Sequence, residues 1–244
     1  MNYYPQASKI RAICRDGLWG IHLDVSSKRH AIEYTNGSVD WREYNPTHFM
    51  YVYFTFNSLY SIDWIASLNK GKLCYHGELS NLCDNNFHIS ESKQFYNMIN
   101  LCYKDNYFVR KYYPILRIIV LYKQDSTKIS EVLDSLCTKN DSSISEEVTD
   151  KFKGVVKKIV DNKPINNYDV GDLAFFIYKV RCNIFHGAKN LRDMNNIDQK
   201  KRLKLYTNIL IAINQMIFSY LDYICGEDDQ YEYLFDIMKI QERC

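Results

Sequence analysis

The sequence predicts an all-α protein. Glycine and proline are scarce, at 9 and 4 of 244 residues, so the chain has few of the turns that many short strands would need. Apolar residues recur every three or four positions along several long segments, which is the period of an amphipathic helix. Ser, Thr or Asp stands before several of these segments, where a helix N-cap is expected. We therefore expect a bundle of roughly six to eight helices.

The N-terminal part is the least regular. A short helix over residues 6–15 ends near Gly17, and turn-forming residues are frequent from there to about residue 45. Among them, Asn36-Gly37 suits the type I′ turn of a small hairpin. We therefore expect residues 1–46 to be an accessory segment, irregular or with that hairpin, packed on a helical domain that covers residues 47–244.

The helical domain begins with a long helix from the N-cap Thr47 to about Leu68, and its aromatic residues are so dense that more than one face must be covered. We expect it to be a central helix. The further predicted helices cover residues 90–103, 107–123, 130–137, 142–161, 169–186, 198–224 and 228–240. Pro114 makes the first two of these either separate helices or one kinked helix. The short connector 187–197 predicts that the helices on either side of it pack antiparallel.

The composition gives no sign of a membrane, secreted or metal-binding protein. The two most apolar segments are interrupted by polar side chains such as Arg117, and residues 1–6 lack the apolar region of a signal peptide. The eight cysteines form no Cys-x-x-Cys pair, and the neighbours Cys74, His76 and Cys83 match no familiar metal spacing. We therefore expect a cytoplasmic protein with reduced thiols, no metal and no cofactor.

The charge of the chain is unevenly placed. The net charge of +2 gives no global nucleic-acid signature. Between Lys179 and Lys204, however, eight Lys or Arg residues face only two Asp residues, whereas residues 227–236 carry five acids and no base. The local excess of positive charge counts for more than the total, because it surrounds the most distinctive motif of the chain.

That motif is an arginine followed by a histidine after four to six residues. It occurs three times, as Arg15…His22, Arg42…His48 and Arg181…His186. Chance gives roughly 0.7 such matches in a chain of this composition, so the spacing alone carries little weight. The first two pairs are interrupted by glycines or by Asn-Pro, whereas Arg181 and His186 lie in the last turns of one apolar helix that Gly187 ends. Only this third pair is expected to be held on a rigid element.

Arginine and histidine held together in this way are suited to phosphate chemistry. Arg181 is permanently charged, and its planar guanidinium fits two oxygens of a phosphate. His186 titrates near neutral pH, and the helix C-terminus favours its imidazolium form. The pair suffices for metal-free cleavage of RNA, in which the ribose 2′-OH attacks the neighbouring phosphorus, the histidine moves a proton and the arginine stabilises the transition state.

Neighbouring polar residues complete the candidate site. Asn183 is a third candidate catalytic residue, because it can orient the pair or the ribose. Tyr178, one helical turn before Arg181, can stack on a base. The candidate contacts to the RNA backbone are Lys189, Arg192, Lys200 and Lys201, with Arg202 and Lys204 beside them. A structural alternative stays open, in which the arginine snorkels to solvent, the histidine satisfies terminal carbonyls and the lysines form a solvated helix face.

Two segments resemble a known family. Residues 176–189, which read Phe-Ile-Tyr-Lys-Val-Arg-Cys-Asn-Ile-Phe-His-Gly-Ala-Lys, resemble the signature helix of the HEPN superfamily, whose members often read Arg-Asn-Asn-Leu-Phe-His-Gly. Residues 56–60, Phe-Asn-Ser-Leu-Tyr, resemble a recurring upstream helix of HEPN proteins in bacterial defence systems. One position departs from the pattern, because the residue after the arginine is usually polar and here it is Cys182. Asn183 can supply the missing polarity.

The resemblance implies a HEPN-like bundle of four or five helices, here with extra helices, and the activity of a metal-independent endoribonuclease of the toxin or abortive-infection type. It also implies a homodimer in which two motifs face each other in one composite cleft. RNA would be the substrate, and an antitoxin or another defence-system protein would be a further partner. Two alternatives stay open, namely a non-catalytic HEPN-like module that binds RNA or a protein, and a regulatory subunit of a nucleotidyltransferase-like protein.

Overall fold

The computed structural model of the protein describes residues 4–19, 46–77, 89–122, 124–136, 144–185 and 196–226. Within these ranges the chain forms nine α-helices, short 3-10 and π-helical segments, and no strand. Ile62 and Tyr75 form an antiparallel bridge outside any sheet. The prediction of an all-α helical bundle is therefore confirmed.

The N-terminal helix α1, Ala7–Ile13, continues directly into a π-helical segment, Cys14–Trp19. The helix predicted over residues 6–15 is thus confirmed, and helical backbone runs past Gly17, where it was expected to end. α1 packs against the longest helix of the bundle and against a short helix further along the chain. The hairpin predicted at residues 36–37 lies outside the described residues.

The single long helix predicted over residues 47–68 is in fact two helices. α2, Pro46–Tyr60, and α3, Trp64–Lys70, are separated by three residues. Asp63 is the reason for the break, because its side chain accepts a hydrogen bond from the Ala66 amide at 3.0 Å and so caps the start of α3. The apolar pattern continues across this junction, which is why periodicity alone predicted one helix.

The next part of the chain resolves the alternative left open by Pro114 in favour of separate helices. Its elements are α4 (Glu91–Cys102), a 3-10 turn (Lys104–Asn106), a π-helical segment (Phe108–Tyr112) and α5 (Tyr113–Val120). Asp105 and Asn106 adopt positive φ angles of 59° and 57°, which interrupts the helical backbone between α4 and α5. Pro114 lies in the first turn of α5, where its missing N–H has no helical partner to lose.

The remaining helices are α6 (Ser126–Ser135), α7 (Glu146–Val160), α8 (Asn167–Phe185) and α9 (Ile197–Ile224). Each of α6, α7 and α9 begins at a side chain that accepts a hydrogen bond from a backbone amide of its first turn, and these caps are Asp125, Ser145 and Asn196. α6 therefore starts four residues earlier than predicted, and Asn196 rather than Asp198 caps α9. The helix predicted over 228–240 lies outside the described residues.

α9 is the centre of the bundle. It is buried on every side from residue 205 to residue 222, and α1, α2, α4, α5, α6 and α8 all contact it. Its buried amides are used for packing, since Asn214 donates to the Val52 carbonyl of α2 and Asn208 to the Val120 carbonyl of α5, both at 3.2 Å. Neither α9 nor any other described helix is long and apolar enough to cross a membrane.

An ion pair joins the first and last described helices. Arg11 of α1 places its Nε atom 2.5 Å from Oδ1 of Asp222, near the end of α9. Both side chains are largely buried, with 12% and 10% of their surfaces exposed. The pair therefore fixes the N-terminal helix to the core rather than to the solvated surface.

Candidate functional site

α8 carries Arg181 of the motif, and this helix is held in place at its start and along its length. Asn166 and Asp169 exchange two hydrogen bonds of 2.9 Å between side chain and backbone, and Lys158 of α7 lies 2.8 Å from Asp169. The helix packs against α4 and α7, and its buried residues include Val170, Leu173, Ala174, Phe176, Ile177 and Val180. Arg181 follows directly after this packed stretch, so its backbone is held in place.

The described part of α8 ends one residue before the histidine of the motif. His186 follows Phe185 in the sequence and lies outside the described residues, as do Gly187, Lys189 and Arg192. The site residues whose surroundings the structure does describe are Tyr178, Arg181, Cys182, Asn183, Lys200 and Lys201. The structure therefore describes the surroundings of Arg181 but not those of His186.

The Arg181 guanidinium lies over an aromatic ring of α2. Its carbon Cζ is 5.3 Å from the centre of the Tyr53 ring, which is completely buried. The arginine itself is half-buried, and its Nη1 is 4.0 Å from Sγ of Cys182. Burial acts to lower the pKa of Arg181, but the tyrosine, the thiol and Glu91 outweigh it and the pKa is raised. Arg181 is accordingly a permanent cation in this position.

Three tyrosines and a glutamate form a connected group beside the arginine, which we call the Tyr–Glu cluster (Tyr53, Tyr60, Glu91 and Tyr178). The Tyr60 hydroxyl lies 2.5 Å from Oδ1 of Asn57 and 3.2 Å from Oε1 of Glu91. A hydrogen bond to Glu91, followed by burial, raises the pKa of Tyr178. Glu91 thus accepts a hydrogen bond from Tyr60 of α2 and raises the pKa of Tyr178 of α8, so it lies between these two helices beside Arg181.

Burial keeps the phenols of this cluster neutral. It raises the pKa of Tyr60 to about 12, and it also raises the pKa of Tyr53, with a further contribution from the neighbouring Tyr60. Tyr60 and Tyr53 are therefore not bases near neutral pH.

Tyr178, predicted to stack on a base, is packed within the protein on one side. Its ring centre lies 6.3 Å from those of both Phe95 of α4 and Phe175 of α8, and its side chain is half-buried. Its hydroxyl contributes to the Tyr–Glu cluster. The structure therefore brings Tyr178 and Arg181 together, on the side of α8 that faces α2 and α4.

Asn183 lies on a different face of α8. Two residues along an α-helix correspond to a rotation of about 200°, so Asn183 and Arg181 point to nearly opposite sides. Asn183 lines a cavity between α6, α7, α8 and α9, together with Thr149, Gln199 and Arg202. The structure does not bring this candidate catalytic residue to the arginine.

The basic residues at the start of α9 divide into two groups. Lys201 is half-exposed and lies 3.7 Å from Glu131 of α6, and Lys200 is partly buried. Arg202 is only 5% exposed and donates hydrogen bonds to the Ser135 hydroxyl and carbonyl at 3.0 and 2.8 Å. Arg202 is thus part of the interior and not of a solvated RNA-binding face, contrary to the interpretation of this segment as a uniform basic surface.

The two other matches to the motif have different surroundings. His48 lies on α2 with 6% of its surface exposed, so it is a core residue, and its partner Arg42 lies outside the described residues. Arg15 lies in the π-helical segment after α1, and His22 is outside the described ranges.

No group of three or more His, Cys, Asp or Glu side chains in the described part of the chain is arranged to hold a metal ion. His76 is close to Cys74 and Cys83 in the sequence, and burial lowers the pKa of its imidazole. Cys74, two residues before it, is buried and directs its thiol to the Lys72 carbonyl at 3.6 Å. Cys83 lies outside the described residues.

Two residues of the site were not predicted from the sequence. Glu91 is the first residue of α4, and Tyr53 lies one turn before the Phe56–Tyr60 segment that resembles a HEPN upstream helix. An acidic residue after a Ser cap is also a normal helix start, so Glu91 carried no distinctive signal. The resemblance at 56–60 was the one signal that pointed toward α2.

Comparison of the chain with family models, with curated proteins and with solved structures finds no match. The functional conclusion therefore depends on the residues and their geometry.

Proposed function

We propose that this chain is a HEPN-like, metal-independent endoribonuclease of the toxin or defence type, which acts in the cytoplasm as a homodimer. Arg181 would bind the scissile phosphate, and His186 would carry the proton. RNA is the proposed substrate, and an antitoxin or another defence-system protein is a proposed partner. Lys189, Arg192, Lys200 and Lys201 are the proposed contacts to the RNA backbone.

The observation that supports this function best is the position of Arg181. It lies at the end of a packed helix, over the face of a buried tyrosine, and five residues before a histidine. A ring face holds a guanidinium through its π-surface, and this fixes the plane in which its donors lie. Nε of Arg181 is buried, so we assign phosphate binding to its Nη groups, which can donate to two oxygens.

The proposed reaction requires no group beyond these residues and the RNA. The 2′-oxygen loses its proton and forms a bond to phosphorus, while the bond from phosphorus to the 5′-oxygen breaks and that oxygen gains a proton. His186 handles the proton transfers, and Arg181 stabilises the negative charge that builds up on the non-bridging oxygens. The products are a 2′,3′-cyclic phosphate and a 5′-hydroxyl.

The Tyr–Glu cluster is proposed to position the arginine. The ring of Tyr53 contacts one face of the Arg181 guanidinium. Glu91 accepts a hydrogen bond from Tyr60 and interacts with Tyr178. Glu91 also contributes negative charge that favours the protonated arginine. If Arg181 were displaced, it would lose most of its stabilising effect on the transition state, because that effect depends on donors being held within a few tenths of an ångström.

The test is cleavage of a fluorescent RNA by the purified full chain in EDTA, with analysis of the product ends. Wild type is expected to yield 2′,3′-cyclic phosphate ends. Arg181→Ala and His186→Ala are each expected to lower the single-turnover rate by about 10²–10³, and Arg181→Lys by less, because it keeps the charge but not the paired donors.

His22→Ala is the matched control, since it makes the same chemical change in another copy of the motif. It is expected to cleave RNA like wild type. Cleavage that persists unchanged in both Arg181→Ala and His186→Ala would show that this pair is not the active site.

A second candidate function is an RNA-binding or protein-binding HEPN-like module without catalysis. The separation of Asn183 from Arg181, and the presence of Cys182 where relatives of the motif carry a polar residue, favour it. Intact RNA in the nuclease assay, combined with tight retention in a mobility-shift assay that Arg181→Ala weakens, would support RNA binding alone.

A further inference from the structure

A cavity on the face of α8 away from Arg181 has no part in the proposed cleavage. It lies between α6, α7, α8 and α9 and has a volume of about 50 Å³. Its polar lining consists of Ser135, Thr149, Asn183, Gln199, Arg202 and Tyr206, and none of the described residues that line it is acidic. Within the described residues, the cavity therefore combines a cation with amide and hydroxyl groups and no carboxylate.

Arg202 is the dominant group of this cavity. It is 95% buried, since 5% of its surface is exposed, and its hydrogen bonds within the described chain go to Ser135. Burying a guanidinium among neutral groups is unfavourable unless its N–H groups are hydrogen-bonded and its positive charge is offset. Ser135 is the last residue of α6, so its carbonyl lies at the negative end of that helix and offsets part of the charge.

The contacts with Ser135 use one edge of the guanidinium. Nε donates to the Ser135 hydroxyl and Nη2 to the carbonyl, so among the described residues Nη1 and the outer N–H of Nη2 have no further hydrogen bond. An arginine has five N–H donors in a fixed plane, and this second edge is a pair of parallel donors. Such a pair matches two oxygens of a phosphate or carboxylate.

The surroundings of Arg202 also favour an anion. Gln199 lies in the first turn of α9, so the positive end of the longest helix is next to the cavity. The Asn183 amide lines the cavity and can donate to an oxygen, whereas the Thr149 hydroxyl donates to the Ser145 carbonyl at 3.2 Å.

The size of the cavity limits the ligand. A water molecule needs about 10–15 Å³ of comparable volume, so this space suits a group of a few heavy atoms and not a whole nucleoside. A phosphate group meets the size, the charge and the number of acceptors. It can be free phosphate or the terminal group of a larger molecule that extends outward.

We infer that the cavity is a phosphate-binding site in which the second edge of the Arg202 guanidinium donates to two phosphate oxygens, assisted by the Asn183 amide. The site is separate from the proposed RNA-cleaving site and does not depend on it. Its ligand is recognised through the phosphate alone.

The test is isothermal titration of the full chain with inorganic phosphate at constant ionic strength, with AMP and adenosine in parallel. Wild type is expected to bind phosphate saturably with a Kd below about 10 mM, and adenosine is expected not to bind. AMP binding more tightly than inorganic phosphate would identify the terminal group of a nucleotide as the source; equal or weaker AMP binding would identify free phosphate.

Two variants test the geometry. Arg202→Gln removes the guanidinium and is expected to abolish binding, but it also removes the contact with α6. Thr149→Asp places a carboxylate in the cavity at the first turn of α7, where helices accept acidic residues, and is expected to weaken phosphate binding at least about tenfold with the fold intact.

The matched control is Thr127→Asp, the same change in the first turn of α6 at an exposed position outside the cavity. It is expected to bind phosphate like wild type. Absence of saturable binding by wild type up to about 10 mM, or equal affinities of Thr149→Asp and Thr127→Asp, would overturn the inference. His186→Ala is expected to bind phosphate normally, which separates this outcome from a failure of the proposed nuclease function.

Discussion

At the scale of single residues, the arginine of the motif is defined by what lies beneath it. Arg181 lies over the ring of Tyr53, which belongs to α2, a helix far from the motif in the sequence. The pKa values of the neighbouring tyrosines are raised mainly by burial, with a contribution from Glu91 that comes first for Tyr178. The cluster is therefore a support for a cation rather than a source of protons.

Replacing Tyr53 by Phe or by Leu separates the role of the ring from that of the hydroxyl. Tyr53→Leu removes the surface under Arg181, and we expect a loss of RNA cleavage of roughly tenfold, corresponding to a cation–π interaction of about 1–2 kcal/mol. Tyr53→Phe keeps the ring, so its loss is expected to be smaller. Single-turnover rates measure the difference, and equal losses would show that the hydroxyl, and not the ring, is what matters.

The sequence could predict only part of this site. Arg181 and Tyr178 lie on one helix, so helical periodicity placed them on neighbouring positions of the same face. Asn183 was predicted to orient the pair, but it lies two residues after Arg181 and lines a cavity on another face of α8. Tyr53 and Glu91 reach the arginine through tertiary packing of α2 and α4, and no local pattern encodes such a contact.

At the scale of helices, the approach of α8 to α4 depends on a missing side chain. A Cβ atom at Gly171 would lie 1.9 Å from Cε1 and 2.5 Å from Cζ of Tyr96. No side chain fits there unless the tyrosine or the helix moves. This close approach lies ten residues before Arg181 on the same helix, so it determines how α8 presents the motif to the Tyr–Glu cluster.

Gly171→Ala is therefore expected to destabilise the protein by about 1–3 kcal/mol in urea denaturation, although alanine is the better helix former. Gly154→Ala on α7 is the matched control, because a Cβ there meets nothing within 4 Å, and it is expected to stabilise by about 0.5–1 kcal/mol. Adding Tyr96→Ala should relieve the first change more than additivity predicts. A stabilising Gly171→Ala would contradict the close approach.

The helices themselves were predictable, but their ends were less so. Apolar residues spaced three or four positions apart located every described helix of more than ten residues, because a helix that buries one face shows this spacing in its sequence. The break before α3 and the early start of α6 depended on Asp63 and Asp125 acting as caps. An aspartate within an apolar pattern is ambiguous until the neighbouring backbone is known, which is why both boundaries were missed.

At the scale of the whole molecule, buried phenols and a buried thiol make the fold sensitive to alkali. Burial raises the pKa of Tyr60 from 10.0 to about 12 and that of Cys14 from 9.0 to about 12, and it raises the pKa values of Tyr107, Tyr112 and Tyr220 as well. Each raised pKa stabilises the native state below the unfolded value, and that stabilisation is lost as pH rises toward the folded value.

We therefore expect the free energy of unfolding from these groups to be constant up to about pH 9 and to decrease steadily between about pH 9 and 12. Urea midpoints across this range measure the trend, and phenolate absorbance beyond that of exposed tyrosines such as Tyr168 is expected to rise together with unfolding. Full ionisation of all 21 tyrosines in a chain still folded by circular dichroism would show that the buried ones are accessible.

The ion pair between α1 and α9 makes a second prediction for the whole molecule. Arg11→Ala removes a guanidinium from beside the largely buried Asp222, and we expect a loss of up to about 3–5 kcal/mol in the free energy of unfolding. Arg11→Met combined with Asp222→Leu removes both charges and is expected to recover most of that loss. If the double variant is as unstable as the single one, the cost comes from packing and not from the charge of the carboxylate.

The burial of α9 on all sides also governs the order in which the protein can be made. The ribosome synthesises α1 to α8 before α9, and six of those helices place apolar surface against it. Until residue 224 has left the ribosome, these six helices lack the surface that they share on α9, and the long-range contacts of α9 form late. The residues that surround Arg181 belong to α2, α4 and α7, which all precede α8 in the chain. The packing around Arg181 can therefore begin before α9 is synthesised, and α9 then adds the remaining long-range contacts of the core.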